Sequence, residues 1–141
     1  MSTVAPDSPL KRPRREFRNI HVFQILTYRL PVAGIVSILH RVSGALLFLL
    51  LPLLLWLFEL SLISELGFVR LVQVVGQWWF KLILLGLIWG FMHHLAAGVR
   101  FLALDLHLGI DKAPSRASAL AVLSVSLALT AVAGLRLFGV I

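Results

Sequence analysis

The chain has 141 residues, of which 60% are hydrophobic and 13% charged, and its mean hydropathy is +0.97. These values exclude an ordinary soluble domain and place the chain in a membrane. Its formal charge of +7 does not imply nucleic acid, because Lys11, Arg12, Arg14, Arg15, Arg18 and Arg29 all precede the first long apolar run, the inside-positive asymmetry of a cytoplasmic terminus.

There is no cysteine, so this chain can neither ligate an iron–sulfur cluster nor attach a c-type haem nor form a disulfide. A Gly-rich dinucleotide loop, a P-loop and internal repeats are absent from the sequence. The first apolar run has full spanning length and no small-residue cleavage site after it, so it reads as a retained helix, not a signal peptide.

Residues 1–30 form a basic arm whose start is interrupted by Pro6, Pro9 and Pro13, and 20–28 is apolar enough to lie along the membrane interface. Its arginines suit a topology signal that contacts anionic lipid heads; docking of a soluble partner is the other use of such a cluster. Residues 31–141 make a membrane anchor domain with three apolar stretches, about 35–58, 78–104 and 117–140, each near the roughly 20 residues that cross a hydrocarbon core. Their continuous Leu, Ile, Val and Ala runs lack the alternation of a barrel strand. The expected fold is an all-α, three-helix transmembrane bundle with a cytoplasmic N-terminus. So thin a bundle has little interior, so polar residues within it face a partner or a cofactor.

Pro31 suits a helix start. Beyond it, Ser37, His40, Arg41 and Gly44 fall at i, i+3, i+4 and i+7, which puts a hydroxyl, an imidazole, a guanidinium and a gap on one face near the cytoplasmic edge. Arg41 alone would read as a snorkelling side chain. With Ser37 and His40 beside it, the face also suits the carbonyl of a lipid-soluble quinone, Arg41 stabilising negative charge on reduction. Pro52 bends this first span. The outer connection at 65–77 has the spacing of a short interfacial helix, and Trp78, Trp79 and Lys81 form an outer-leaflet anchor.

The second span carries Gly86, Gly90, His94 and Gly98 at every fourth position, one narrow stripe with a single ring among three missing side chains. A neutral imidazole there is a candidate axial ligand for haem iron, with the glycines as a slot for the macrocycle. An interhelical hydrogen bond is the other use of an intramembrane histidine. His93 points about 100° away, on a face shared with Ala97 and Arg100, and cannot ligate the same iron. His94 is expected roughly 15 Å deep, below the Ser37–Arg41 group. No other histidine is expected at its depth on another span, so a partner subunit would supply a second ligand. In the third span Ala117, Ala121, Ser124, Ala128 and Ala131 make a small-residue stripe for close helix packing.

Arg12-Pro13, Arg29-Leu-Pro31, Ser37-Ile-Leu-His40-Arg41-Val-Ser43-Gly44 and His94-x-x-x-Gly98-Val-Arg100 followed by Asp105 occur in this order. In them the chain resembles the cytochrome b membrane-anchor subunit of succinate dehydrogenase, from about residue 12 to 112. The resemblance implies one of two small anchors that hold a flavoprotein subunit and an iron–sulfur subunit on the membrane, with one haem b between the anchors and His94 as axial ligand. It implies Ser37 and Arg41 at the ubiquinone site and His40 with Arg41 near the haem propionates. FAD and iron–sulfur clusters would belong only to the partner subunits, where succinate is oxidised. The implied location is a bacterial inner (cytoplasmic) membrane rather than a mitochondrial one. Many relatives have a histidine after the motif arginine; here Phe101 stands there, which leaves that residue's role open, as is that of His93. The related fumarate reductase anchor, and a scaffold or transporter subunit without haem, are the competing readings.

Overall fold

A computed structural model describes residues 30–140 as five helices. The basic arm and its interfacial stretch at 20–28 lie outside the described residues. Three helices are long and apolar enough to cross a bilayer: α1 (Val32–Leu49), α4 (Trp78–Asp105) and α5 (Lys112–Leu137). Two shorter ones, α2 (Leu51–Leu62) and α3 (Glu65–Gly76), connect α1 to α4. The result is the expected all-α bundle.

The first span is thus two helices. α1 has 18 residues, roughly 27 Å of rise, and α2 continues it beyond a break at Leu50. The break follows from Pro52 in the first turn of α2, which has no N–H to offer the Phe48 carbonyl. α2 then stops at Ile63, and Ser64 caps α3, its Oγ accepting the Gly67 N–H at 3.0 Å. That short helix is the one its spacing predicts. Gly67 is required there, since a Cβ would lie 2.7 Å from Ile63 Cγ2 and 2.8 Å from the Leu60 carbonyl oxygen.

α4 is the central element. It packs most extensively on α5 and next on α1, and α1 and α5 also touch. The three close on Val36, Ala97, Ala119 and Val122, flanked by Val32, Ala33, Ala96, Phe101 and Leu123. These are mostly small side chains, so the helices approach closely while interlocking weakly. Large apolar residues such as Phe48, Leu62, Leu66, Trp78 and Leu102 instead face outward, as they do when hydrocarbon is the solvent. Lys81 lies 5.6 Å from the Phe138 ring centre, joining the start of α4 to the end of α5.

The end of α4 closes with His107 N–H donating to the Leu104 carbonyl at 2.9 Å and Leu108 N–H to that of Ala103 at 3.0 Å. This is the paired-bond helix stop that calls for a left-handed residue. Gly139 fills that position after α5, with φ of 72°; after α4 it is His107, with φ of 61°.

One expectation about packing is corrected. Ala117, Ala121, Ser124, Ala128 and Ala131 all face outward, and the inward face of α5 is Ala119, Val122, Ser126, Thr130 and Gly134. Ser126 meets His93 Nδ1 of α4 at 3.4 Å, while Thr130 bonds back to the Ser126 carbonyl of its own helix at 2.7 Å.

Candidate functional site

The site lies where α1 meets α4. His94 Nδ1 is 3.0 Å from the His40 carbonyl oxygen and 3.4 Å from Ser43 Oγ. A carbonyl only accepts, so Nδ1 carries the proton and donates. Ser43 Oγ donates to the same carbonyl at 3.0 Å. His94 is thereby fixed in one tautomer, with the lone pair on Nε2, which is how a metal-ligating histidine is prepared by a backbone oxygen.

The ring lies flat on that of His40, centroids 4.2 Å apart and planes 9° apart. Gly44 makes this approach achievable, since a Cβ there would stand 2.8 Å from His94 Cε1 and 3.2 Å from Nδ1. On its other side His40 meets Phe101 at 5.1 Å, tilted by 50°. Phe101 is therefore a wall of the His40 site.

Three expectations change here. His40 and His94 occupy one level rather than two, so α1 does offer a histidine at matching depth. The reason is that α1 begins at Val32, just behind Pro31 as that residue suggests and three residues before the apolar stretch, which sets His40 about 12 Å inside the helix. Stacked face to face, however, the two rings do not aim nitrogens at a common centre and cannot be paired axial ligands. Second, the glycine stripe is not an open slot along its length. Gly90 faces Leu46 and Gly98 faces His40; only Gly86 meets open space. α1 seats its ridge in the α4 groove, so these glycines serve helix approach. Third, the polar face of α1 is divided. His40 and Gly44 turn towards α4, Ser37 is half-buried, and Arg41 is exposed beside the cluster.

The opposite side of α4 carries what the sequence left without a role. His93, Ala97 and Arg100 share the buried face that their spacing predicts. Arg100 is only 7% exposed and binds α5: Nε donates to Ser118 Oγ at 3.0 Å, and an Nη donates to Ser115 Oγ at 3.1 Å and to its carbonyl at 3.2 Å. Its guanidinium carbon also lies 5.4 Å from the Phe101 ring centre. Arg100 is thus a clamp between α4 and α5. The two serines, three apart at the start of α5, were the available signal. Ser43 was likewise legible as the hydroxyl next to the motif glycine.

The donor set fits a haem: one histidine whose Nδ1 is held by a carbonyl, which leaves Nε2 without a partner in an apolar bundle. A family model described as the succinate dehydrogenase/fumarate reductase transmembrane subunit matches residues 14–133. The chain is similar to the succinate dehydrogenase cytochrome b556 subunit of Coxiella burnetii (strain RSA 493 / Nine Mile phase I), 35% identical over 108 residues, or 76% of this chain and 86% of that protein. It is similar also to the subunit of the same name from Paracoccus denitrificans, 33% identical over 102 residues, or 72% of this chain and 78% of that protein.

Proposed function

This chain belongs to the succinate dehydrogenase/fumarate reductase transmembrane subunit family, and on that premise we propose that it is the cytochrome b anchor of a succinate dehydrogenase, passing electrons from succinate to ubiquinone. The observation that carries the proposal is the His94 Nδ1 bond to the His40 carbonyl at 3.0 Å, which leaves Nε2 as the coordinating atom. Haem b, when bound, supplies a one-electron redox centre within the membrane. His94 would hold its iron, with His40 and Arg41 beside the propionates. Because the His40 ring is stacked and not opposed, the second axial ligand would come from a partner, a second small anchor subunit.

Ser37 and Arg41 would take the ubiquinone. Reduction to ubiquinol consumes two electrons and two protons, and charge builds on the quinone oxygens as electrons arrive. A half-buried hydroxyl can donate to one carbonyl, while the permanent charge of Arg41 favours the reduced form. The exposure of Arg41 in this chain suits a site completed by the iron–sulfur subunit, with the flavoprotein subunit beyond it. FAD and the clusters would reside there. The arm at 1–30 would lie in the cytoplasm and contact lipid heads, giving a bacterial inner-membrane protein. The family covers fumarate reductase as well; both relatives above are named for succinate dehydrogenase, which favours succinate oxidation.

The test is Arg41→Leu in the assembled complex. Succinate-driven ubiquinone reduction should fall at least tenfold, while succinate oxidation by an artificial dye acceptor, served by the other subunits, stays unchanged. Undiminished ubiquinone turnover would remove Arg41 from the site.

A further inference from the structure

Among the described residues, Nε2 of His93 is the buried side-chain polar atom left without a hydrogen bond. The ring is wholly buried, stacked on Trp89 one turn earlier at 5.5 Å and 23°, with Nδ1 3.4 Å from Ser126 Oγ on α5. The Ser126 hydroxyl also lies 3.1 Å from the Leu123 carbonyl, so it bridges its own helix and the imidazole, and either it or Nδ1 donates in the pair. An imidazole half satisfied in this way costs stability that a leucine would not.

We propose that His93 is a positioning residue that sets the rotation of α4 about its own axis and so the aim of His94; the proposal rests on the reading of His94 as haem ligand. The two side chains leave neighbouring backbone positions about 100° apart, so one cannot turn without the other. His94 is held on the α1 side by the His40 carbonyl, Ser43 and Gly44; His93 is held on the α5 side by Ser126. Between these points the contact is Val36, Ala97, Ala119 and Val122, and two turns further on Arg100 pins the same face of α4 to Ser115 and Ser118. A rotation of about 10° moves a ring at the helix rim, roughly 6 Å from the axis, by about 1 Å. That would take the 3.0 Å bond of His94 beyond hydrogen-bond reach. Arg100 holds that face nearer the end of α4, and the His93–Ser126 contact is the directional one at the level of His94 itself.

The experiment uses the whole purified complex with His93→Leu, His93→Asn or Ser126→Ala. Readouts are haem per flavin, the low-spin haem electron paramagnetic resonance spectrum and the haem midpoint potential. The leucine variant should keep its haem but show a displaced high-field or low-field g value and a shifted potential. Asparagine, which can place an amide N–H where Nδ1 stands, should return both towards wild type, and Ser126→Ala should reproduce the leucine shift. A purely structural role would lower the yield of complex while the recovered haem stays spectroscopically normal, and that result overturns the proposal. If the leucine variant does not assemble, an unshifted spectrum in Ser126→Ala overturns it equally. A wild-type complex without His94-dependent haem would remove the ligand reading and this proposal together; His94-dependent haem with unshifted His93 and Ser126 variants would remove this proposal alone.

Discussion

Replacing Gly44 with alanine tests the α1–α4 contact at its tightest point. The new methyl would stand 2.8 Å from His94 Cε1 and 3.2 Å from Nδ1, against about 3.5–4.0 Å for carbon atoms in comfortable contact. Either α1 moves away by roughly 1 Å or the imidazole turns, and the 3.0 Å bond to the His40 carbonyl is lost in both cases. Overpacking of this kind costs about 1–3 kcal/mol. Alanine gains up to about 1 kcal/mol over glycine in a helix, which partly offsets it. Gly34→Ala, in the same helix, separates the two effects, because its Cβ would meet only Pro31 at an ordinary 3.6 Å. Denaturation of the purified complex in detergent, followed by haem absorbance, should show Gly34→Ala neutral or slightly stabilised. Gly44→Ala should be destabilised by about 1–2 kcal/mol net, with a broadened or displaced haem band. Equal stability of the two variants with an unchanged band would refute the claim that His94 is wedged against Gly44.

Arg100→Leu should weaken the α4–α5 contact by about 2–4 kcal/mol, since three hydrogen bonds to Ser115 and Ser118 disappear; the thermal midpoint of the complex reads this, and a midpoint within error of wild type would contradict the clamp. Ser118→Ala removes one acceptor and should cost about 1 kcal/mol in the same assay. His107→Gly should stabilise the end of α4 by about 0.5–1 kcal/mol, because it relieves an L-residue at φ of 61° at the helix stop; unfolding in a detergent titration would show it, and a loss of stability would mean that the imidazole makes a compensating contact. Ser37→Ala should raise the ubiquinone KM several-fold while succinate–dye activity stays level, a split that a general folding defect would not produce.

Much of the fold was legible because hydrocarbon imposes few rules. Long apolar runs had to be helices, Pro52 had to bend the first, which it does by breaking it at Leu50, and the 65–77 spacing had to lie as a short helix. The face of α5 was misjudged because counting small residues does not say which side they serve. Ser126, which meets His93 across the contact, held the better signal, although Ser124 faces outward and shows that a hydroxyl alone does not settle the rotation. The grouping of His93, Ala97 and Arg100 followed from helical period alone, but its partners on α5 did not, since they depend on how two helices are rotated against each other. For the same reason the level of His40 against His94 was out of reach. Depth counted from predicted helix ends shifts by 1.5 Å for each residue of error, and α1 began earlier than its apolar run suggested. The glycines of α4 illustrate the limit from the other direction: small residues mark close approach, but whether by a helix or by a cofactor is decided by what stands opposite.

The most direct measurement is a reduced-minus-oxidised spectrum of the purified complex containing this chain, with succinate as reductant, beside the His94→Leu variant. A b-type haem band that succinate reduces is expected in the wild type, and its loss or displacement in the variant. A wild-type complex with no such band, or a variant whose band is unchanged, would contradict the reading of His94 as haem ligand.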